Sequence, residues 1–242
     1  MNQPTNACEI ALGLVTQNLP ASLRLDDFKL IAFDMDSTLI NIECIDEIAD
    51  ATGRKGEVAA ITEAAMRGEI TDFRESLRRR LNLLQGTHTS HLEQVYRERL
   101  QINPGAAELI AACKAAGLKV MLVSGGFTYF AERLRNRLGL DFVRSNQLEI
   151  IDDTLTGHLV TQSWGDVCDA SEKRRTVLDM CSLLGCPPEQ AIAVGDGAND
   201  LEMMKAVGVS VAYHAKPTVR AQAKVAINEG GLDRLLEVLR WG

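Results

Sequence analysis

Short hydrophobic runs recur along the chain, and each one ends at a polar or glycine-rich segment. They cover residues 28–33, 118–123 (LKVMLV) and 190–194 (QAIAV). Runs that are apolar at almost every position are typical of strands buried on both faces of a parallel sheet. The pattern therefore predicts parallel strands whose carboxyl ends lead into loops.

Amphipathic segments with helical spacing accompany these runs. Residues 105–116 follow Pro104 and end before Gly117, and residues 127–138 end before Gly139. Proline near the start of a helix and glycine just after its end are common boundary signals. The alternation of strand, loop and helix predicts an α/β fold with a Rossmann-like parallel sheet core.

Two further segments break the alternation. Residues 45–100 read as successive helices, as in DFRESLRRRLNLLQG, with no strand pattern among them. Because this segment leaves after the first run and returns before Pro104, it is interpreted as a helical insert that can cover the sheet edge as a lid. Residues 147–160 alternate in polarity around Asp152 and Asp153, which predicts a hairpin.

The chain is predicted to divide into a core and a cap. Residues 27–42 and 103–242 form the α/β core, and residues 43–102 form a helical cap inserted into it. Residues 1–26 show no clear pattern and are interpreted as a poorly defined N-terminal leader.

Composition limits the classes of function. The 242 residues carry a formal charge of -7, which argues against a broad nucleic-acid-binding surface. The six cysteines form no C-x-x-C pair, and no segment is typical of a signal peptide or a membrane span. We expect a cytoplasmic protein with a small-molecule substrate and with neither nucleic acid nor membrane as partner; the oligomeric state stays open.

Two aspartates directly follow the first hydrophobic run, in the segment FDMDSTLINIE. Asp34 and Asp36 are two residues apart on an extended segment, so both side chains can face the region beyond the strand. Carboxylates this close repel one another unless a cation or a proton lies between them. The pair predicts a Mg2+ site, a raised pKa for one acid, or both.

Acidic residues also follow the third run, in the segment GDGANDLEM. Asp196 and Asp200 are four residues apart, and their hard oxygens would complete a Mg2+ shell that Asp34 begins. The neighbouring glycines allow the backbone to approach a ligand closely. No histidine or cysteine in this segment argues for zinc.

The second run leads into a candidate anion site. Ser124, Gly125 and Gly126 offer a hydroxyl and backbone N–H groups at the start of a predicted helix, which is a cradle for an anion. Lys173 begins a later helical segment and can bring a positive charge to the same anion. Acids, a metal, a hydroxyl and a lysine together indicate phosphoryl transfer.

The segments DMDSTL, SGGF, the lysine of SEKRR and GDGANDLEM resemble, in their usual order, the four motifs of the haloacid dehalogenase (HAD) superfamily. Glu43 with the following ECIDEIA-type pattern, and SLRRR at residues 76–80, further resemble the phosphoserine phosphatase family. The resemblance covers most of the chain, from residue 28 to the segment AYHAKP and beyond. It implies a HAD-type core with a helical cap inserted after the first motif.

The resemblance also implies a catalytic role for each motif. Asp34 is expected to attack phosphorus, and Asp36 to act as the general acid and then the general base. Mg2+ is expected on Asp34, Asp196 and the backbone carbonyl of Asp36, with Asp200 orienting its water shell.

Other residues are expected to hold the substrate by the same resemblance. Ser124, Gly125 and Lys173 are expected to bind the phosphoryl oxygens, and Asn199 is expected in the phosphate region.

Residues of the cap are expected to recognise phosphoserine itself. Glu43 would bind the ammonium group, and Arg80 would bind the carboxylate through its planar fork. Arg78 stays open as the alternative to Arg80. Met66 and Phe73 are expected to pack over the ligand.

The implied activity is Mg2+-dependent hydrolysis of O-phospho-L-serine to L-serine and phosphate through an aspartyl-phosphate, the last step of serine biosynthesis in relatives. One alternative is a HAD phosphatase or phosphotransferase that acts on another small phosphomonoester. An alternative of another class is a phospho-aspartate signalling receiver. The receiver is disfavoured because receivers have about half this length and lack the helical insert.

Overall fold

The secondary structure comes from a computed structural model that describes residues 7–20, 22–67 and 69–239. Its strands are β1 (Ala7–Ala11), β2 (Leu14–Gln17), β3 (Leu30–Phe33), β4 (Lys119–Phe127), β5 (Phe142–Ile151), β6 (Thr154–Val160), β7 (Ala191–Gly195), β8 (Val209–Tyr213) and β9 (Val225–Ile227). Its α-helices are α1 (Cys44–Ala51), α2 (Lys55–Met66), α3 (Phe73–Leu83), α4 (Thr89–Gln94), α5 (Ala106–Ala115), α6 (Thr128–Leu138), α7 (Ala170–Leu183), α8 (Leu201–Lys205), α9 (Pro217–Arg220) and α10 (Leu235–Val238).

These strands form one mixed sheet in the order β1-β2-β9-β8-β7-β3-β4-β5-β6. The six strands from β9 to β5 run parallel to their neighbours, while β2 and β6 pair antiparallel at the two ends of this set. The predicted α/β fold class is therefore confirmed.

The hydrophobic core lies on both faces of the sheet. Ile31 and Phe33 of β3 belong to one cluster with residues of α5 and α6, whereas Leu30 and Ala32 belong to another with residues of α7 and α8. Successive side chains of a strand point to opposite faces, so a strand covered on both faces needs an apolar residue at every position. This explains the uninterrupted hydrophobic run before Asp34.

Strand β3 is the point at which the order of the sheet reverses. Its neighbours are β4 on one side and β7 on the other, both parallel to it. In open parallel sheets, ligands bind beyond the carboxyl ends of the strands at such a reversal. The segments that follow β3 and β7 and the end of β4 therefore meet at one place.

The N-terminal segment differs from the sequence-based interpretation. Residues 1–26 are interpreted from the sequence as a leader without defined structure, but β1 and β2 form a hairpin, and β2 pairs antiparallel with β9. Leu14 of this hairpin is fully buried. The partner strand lies at residues 225–227, and pairing across so much sequence leaves no local signal. Residues 1–6 and 21 lie outside the described part of the chain.

The segment between β3 and α5 is helical, as predicted for residues 45–100. It contains α1 to α4 and a π-helical turn, Val95–Arg99, and the described residues of this segment include no strand. Helix α3 packs against β6, so the helices also contact the far hairpin of the sheet. The boundaries of the cap, residues 43–102, stay a prediction.

Two local predictions have different outcomes. The hairpin at residues 147–160 is confirmed by β5 and β6, with φ angles of 49° at Asp152 and 58° at Asp153 in its tight turn. The strand predicted at residues 118–123, however, is longer than predicted. Instead of ending at Val123, β4 continues to Phe127 with an irregular register, and α6 begins only at Thr128.

No helix among the described residues has the length and apolar character needed to cross a membrane. All six cysteines are free thiols, five of them buried. The cysteines thus contribute packing and no covalent cross-link to the described fold.

Candidate active site

A cavity of about 540 Å³ lies at the carboxyl ends of β3, β4 and β7. Its walls also include residues of α1, α2 and α3 from the helical segment. Lining residues that the sequence predicts for the site are Asp34, Asp36, Glu43, Phe73, Arg80, Ser124, Gly125, Asp196 and Asn199. A second cavity of about 360 Å³, between α6, β5 and α7, contains none of the predicted residues.

Lys173 connects two carboxylates beneath the cavity. Its Nζ donates to Oδ1 of Asp34 at 2.6 Å and to Oδ1 of Asp200 at 2.7 Å. All three side chains are buried. Burial lowers the pKa of Lys173, but the charges of Asp200 and Asp34 outweigh burial, so its pKa is raised overall. A buried ammonium is stable only with such partners, and Lys173 is therefore protonated at neutral pH.

The acids of the site hold more negative charge than nearby cations balance. Burial raises the pKa of Asp34 well above its ordinary value, the Asp200 charge raises it further, and Lys173 acts in the opposite direction. Burial, followed by the charges of Asp200 and Glu43, raises the pKa of Asp196 to about 6. Additional positive charge at this position would lower both pKa values.

Asp34, Asp196 and Asp200 form a group that can hold a metal ion. One oxygen from each carboxylate lies within 4.8 Å of the others. The donors are all oxygen atoms, which suits a hard cation such as Mg2+, and the excess negative charge favours one. The carboxylate of Asp36, which the sequence groups with these acids, is not part of this group.

The two oxygens of Asp200 already have protein partners. Oδ1 accepts from Lys173, and Oδ2 accepts the backbone N–H groups of Asp196 at 3.2 Å and Gly197 at 3.1 Å. These bonds fold the loop after β7 around the Asp200 carboxylate. A metal would meet Asp34 and Asp196 with fewer competing contacts than Asp200. Asp196 accepts one bond, from the Thr38 hydroxyl at 3.3 Å.

Asp36 is oriented differently from Asp34. Its Oδ1 is buried and has no hydrogen-bond partner among the residues that the structure describes. Burial, followed by the charge of Glu43, raises the pKa of Asp36 to about 8. A carboxyl group with this pKa is mostly protonated at neutral pH and can donate a proton.

The end of β4 brings Ser124 close to the aspartates. The Oγ atom of Ser124 accepts the N–H of Gly126 at 2.9 Å, and this side chain is buried. A Cβ atom at Gly126 would lie 3.2 Å from Oδ2 of Asp36 and 2.5 Å from Cε of Met35. A side chain at Gly126 would require Met35 and Asp36 to shift, so glycine suits the close approach of β4 to the loop after β3.

Asn146 of β5 connects the end of β4 with the segment that leads into α7. Its amide donates to the carbonyl of Gly125 at 2.7 Å and accepts the N–H of Cys168 at 2.7 Å. The side chain is fully buried. Cys168 directly precedes Asp169, which caps the N-terminus of α7, and Lys173 lies one turn further along. Asn146 thus fixes the position of Ser124 and Gly125 relative to the helix that carries Lys173.

Glu43 and Arg80 face the same cavity from the helical segment. Glu43 accepts the hydroxyl of Ser37 at 2.7 Å. Burial lowers the pKa of Arg80, while the charges of Asp46 and Glu43 act in the opposite direction. Among the described residues, the guanidinium of Arg80 makes one hydrogen bond, a long one of 3.4 Å to the carbonyl of Ser76. Its remaining donors are available to a ligand.

The two neighbouring arginines lie on the outer side of α3. Arg78 pairs with Asp166 at 3.0 Å, and Arg79 pairs with Glu75 at 2.7 Å. Both are exposed. Of the two arginines that the sequence left open, Arg80 is the one that lines the cavity.

The other predicted cap residues have different outcomes. Phe73 begins α3, and its ring lies 3.3 Å from the position that a Cβ atom of Gly125 would occupy, so it covers the end of β4. Met66 ends α2, and its side chain lies outside the part that the structure describes. Asn199 lies in the loop after β7 and lines the cavity.

Several residues of the site were not predicted. Ser37, Asp46, Asn146 and Lys216 contact or line the cavity region. Asp46 follows Glu43 by one helical turn, so its position could have been noticed from the spacing. Asn146 gives no such signal, because a polar residue in an alternating strand usually faces solvent.

Comparisons with known proteins agree with this geometry. The family model of haloacid dehalogenase-like hydrolases matches residues 28–208. A phosphoserine phosphatase from Polaromonas sp. strain JS666 is 65% identical over 238 residues, which cover 98% of this chain and 100% of that protein. Another, from Albidiferax ferrireducens, is 66% identical over 231 residues, covering 96% and 98%. A solved structure of a phospho-aspartyl intermediate analogue of phosphoserine phosphatase superposes with a TM-score of 0.80 at 37% identity, covering 88% of this chain and 99% of that one.

Proposed function

Because this chain belongs to the haloacid dehalogenase-like hydrolases, and within them to the phosphoserine phosphatases, we propose that it hydrolyses O-phospho-L-serine to L-serine and phosphate. The observation that carries the proposal is the placement of Glu43 and Arg80 in the same cavity as Asp34 and Ser124. Groups for a phosphate, an ammonium and a carboxylate thus face one volume. Phosphoserine carries these three groups on one small molecule.

In the first half of the reaction, a carboxylate oxygen of Asp34 forms a bond to phosphorus, and the bond from phosphorus to the seryl oxygen breaks. The carboxyl group of Asp36 gives its proton to the departing seryl oxygen. This role suits a group whose pKa of about 8 keeps it protonated before the reaction. The ion pair with Lys173 favours the charged, nucleophilic form of Asp34.

In the second half, water attacks the phosphorus of the aspartyl-phosphate, and Asp36, now a carboxylate, takes the proton of the water. The bond between phosphorus and the Asp34 oxygen breaks, which releases phosphate and restores Asp34. The proton that Asp36 takes from water replaces the one that it gave to serine. Each carboxylate is thus returned to its starting state.

Donors around the cavity would hold the phosphoryl oxygens during both steps. The hydroxyl of Ser124 and the N–H of Gly125 come from β4, and the ammonium of Lys173 comes from α7. Asn146 fixes the end of β4 relative to the helix of Lys173. Asn199 lies in the loop beside them.

We propose Mg2+ as the cation of the acidic group. Asp34 and Asp196 would bind it together with the backbone carbonyl of Asp36, and Asp200 would orient its water molecules. When bound, the ion offsets the negative charge that otherwise keeps a phosphate dianion away from a carboxylate nucleophile.

The cap residues would provide selectivity. Glu43 would accept hydrogen bonds from the substrate ammonium, and the free donors of Arg80 would donate two parallel hydrogen bonds to the substrate carboxylate. Phe73 and Met66 would cover the ligand and exclude water. The residues from the sheet therefore act on the phosphate, and those from the helical segment act on the amino acid.

The proposal is tested by phosphate release from O-phospho-L-serine, measured with Mg2+ and again with excess EDTA. We expect steady turnover with the metal and none without it. Comparing kcat/KM with O-phospho-L-threonine and p-nitrophenyl phosphate separates the alternatives, and equal values would favour a phosphatase for another small phosphomonoester. Release of one equivalent of serine per protein without steady release of phosphate would favour a signalling receiver, which keeps the phosphoryl group on its aspartate. A cytoplasmic location stays a prediction.

A further inference from the structure

Ser37 has a backbone conformation that residues other than glycine rarely adopt. Its φ and ψ angles are 55° and 2°, in the left-handed region. This conformation costs free energy for a residue with a Cβ atom, so it persists only where other contacts hold it. The position follows Asp36 directly and precedes Thr38, which bonds Asp196.

Two hydrogen bonds hold Ser37 in this conformation. Its backbone N–H donates to the carbonyl of Ile42 at 3.2 Å, and its hydroxyl donates to Oε1 of Glu43 at 2.7 Å. Together they close the loop between the catalytic aspartates and the first helix of the helical segment. These bonds therefore fix the position of Ser37 relative to the start of α1.

The Glu43 carboxylate is held by this hydroxyl rather than by its own helix. Glu43 occupies the position that precedes α1, where an acidic side chain often caps the helix, but it makes no capping bond. Within the described residues, Ser37 is the hydrogen-bond donor to this carboxylate. Oε1 is thus engaged, and Oε2 is left to meet a ligand in the cavity that Glu43 lines.

We infer that Ser37 is a positioning residue for substrate selectivity, because its hydroxyl holds the Glu43 carboxylate where it meets the ammonium group of the substrate. The inference rests on the proposed function and deepens it. The substrates that depend on Ser37 are phosphomonoesters of amino alcohols. Their primary ammonium group is on the carbon next to the one that bears the ester oxygen. Esters without that ammonium gain nothing from the bond.

The test compares Ser37→Ala and Ser37→Gly with the unchanged protein on four esters. O-Phospho-L-serine and O-phosphoethanolamine carry the ammonium, whereas phosphoglycolate and p-nitrophenyl phosphate do not. Both variants lose the hydroxyl, but glycine accepts the left-handed conformation without strain, so it keeps the loop folded if alanine does not. Ser182→Ala, which removes an exposed hydroxyl on α7, is the matched control.

We expect kcat/KM to fall about tenfold for the two ammonium esters, mainly through KM, as for the loss of a hydrogen bond to a charged group. The two other esters should stay within about twofold. In a Glu43→Gln background, Ser37→Ala should have little further effect on any ester.

Each other outcome overturns the inference. Equal losses on all four esters would assign Ser37 to the catalytic loop in general, and a loss in the alanine variant alone would assign the effect to the backbone. A preference for ammonium esters that both variants retain would exclude the hydroxyl while leaving the proposed function intact. If the unchanged protein shows no such preference, the proposed function itself fails and the inference falls with it.

Discussion

At the scale of single residues, Asp34 is the group whose replacement should affect the chemistry most, while Asp200 still pairs with Lys173. Asparagine has the same shape, so Asp34→Asn should keep a hydrogen bond with Lys173 while removing the nucleophile. We expect kcat for O-phospho-L-serine to fall by about a thousandfold or more, as for the loss of a nucleophile elsewhere.

Asp179→Asn is the control for this substitution, because Asp179 is exposed on α7, the same helix that carries Lys173. It should leave kcat unchanged. Thermal unfolding of both variants, followed by circular dichroism, should give transitions close to that of the unchanged protein. Substantial turnover by Asp34→Asn would remove Asp34 from the role of nucleophile.

Arg80 should matter for the substrate carboxylate and not for the phosphate. Arg80→Ala removes a charge-assisted contact, so kcat/KM for O-phospho-L-serine should fall about a hundredfold. The loss on p-nitrophenyl phosphate, which lacks a carboxylate, should be much smaller. Arg79→Ala, on the same helix, loses only an exposed pair with Glu75 and should change neither value. Equal losses on both substrates would indicate a structural role for Arg80.

The site residues of the sheet core were easier to predict from the sequence than the arginine of the helical segment. Five residues of the core each follow or begin an element that periodicity identifies, and their order along the chain matches the order of the four HAD motifs. They are Asp34, Asp36, Ser124, Lys173 and Asp196. The sequence did not decide between Arg78 and Arg80, because residues two apart on a helix point about 200° apart and only tertiary contacts show which of them faces the cavity. The pairing of Arg78 with Asp166 supplies that information.

At the scale of elements, the end of β4 and the segment before α7 should lose their relative position when the amide of Asn146 is changed. Asn146→Asp can still accept from Cys168 but cannot donate to the carbonyl of Gly125. We expect kcat/KM to fall about tenfold alike for O-phospho-L-serine and p-nitrophenyl phosphate, since both carry the phosphoryl group.

The neighbouring exposed amide provides the control for Asn146. Gln147→Glu makes the same chemical change one residue along β5 and should leave both kcat/KM values unchanged. Asn146→Leu should also lower the free energy of unfolding by about 2 kcal/mol, because it leaves two buried backbone groups without partners. Loss of activity on phosphoserine alone would contradict a role on the phosphate side.

The start of α7 combines a helix cap with an ion pair to the helical segment. Asp169 accepts the N–H of Glu172 at 2.9 Å, and its second oxygen pairs with Arg74 of α3 at 2.7 Å. Asp169→Asn keeps the capping acceptor and loses the charge, whereas Asp169→Ala loses both. We expect the first to lower the free energy of unfolding by less than about 1 kcal/mol, and the second by about 1 kcal/mol more.

The pH dependence of this contribution follows from the pKa of Asp169. Burial raises it, but the Glu172 N–H, the Ser171 hydroxyl and Arg74 together lower it below its ordinary value. A lowered folded-state pKa contributes stability that is fully present above the unfolded value of about 3.9 and is lost as the pH falls through the folded one. The difference in Tm between the unchanged protein and Asp169→Asn should therefore be constant near neutral pH and shrink below about pH 4. A difference that grows on acidification would contradict this pairing.

Elements were predictable where they are local. The parallel strands β3, β4 and β7, the helices α5 and α6 and the β5–β6 hairpin each have a period or a turn that can be recognised within about 15 residues. The continuation of β4 through the glycines was not, because glycine and serine normally end a strand. Here the strand is extended by pairing with β5, where Phe127 lies opposite Asn146.

At the scale of the whole molecule, the catalytic cavity and the N-terminal hairpin lie on different parts of the sheet. The cavity lies over β3, β4 and β7, while the N-terminal hairpin lies beyond β8 and β9. This hairpin was missed because β2 gains its stability from β9, about 210 residues away along the sequence, and not from its own composition. The N-terminal hairpin therefore lies beside β9, which belongs to the C-terminal part of the chain.

This separation predicts that the hairpin can be weakened without affecting the reaction. Leu14 is 0% exposed and packs in the main hydrophobic cluster, so Leu14→Ala should lower the free energy of unfolding by about 2–5 kcal/mol, measured by urea denaturation. Leu12→Ala, in the same hairpin but at a side chain 75% exposed, should change it by less than about 0.5 kcal/mol. At a temperature where both variants are folded, kcat/KM for O-phospho-L-serine should equal that of the unchanged protein, because three strands separate β2 from β3. A loss of stability in Leu14→Ala no larger than in Leu12→Ala would show that the hairpin lies outside the cooperative core, whereas a selective loss of kcat/KM would show that the two ends of the sheet are coupled.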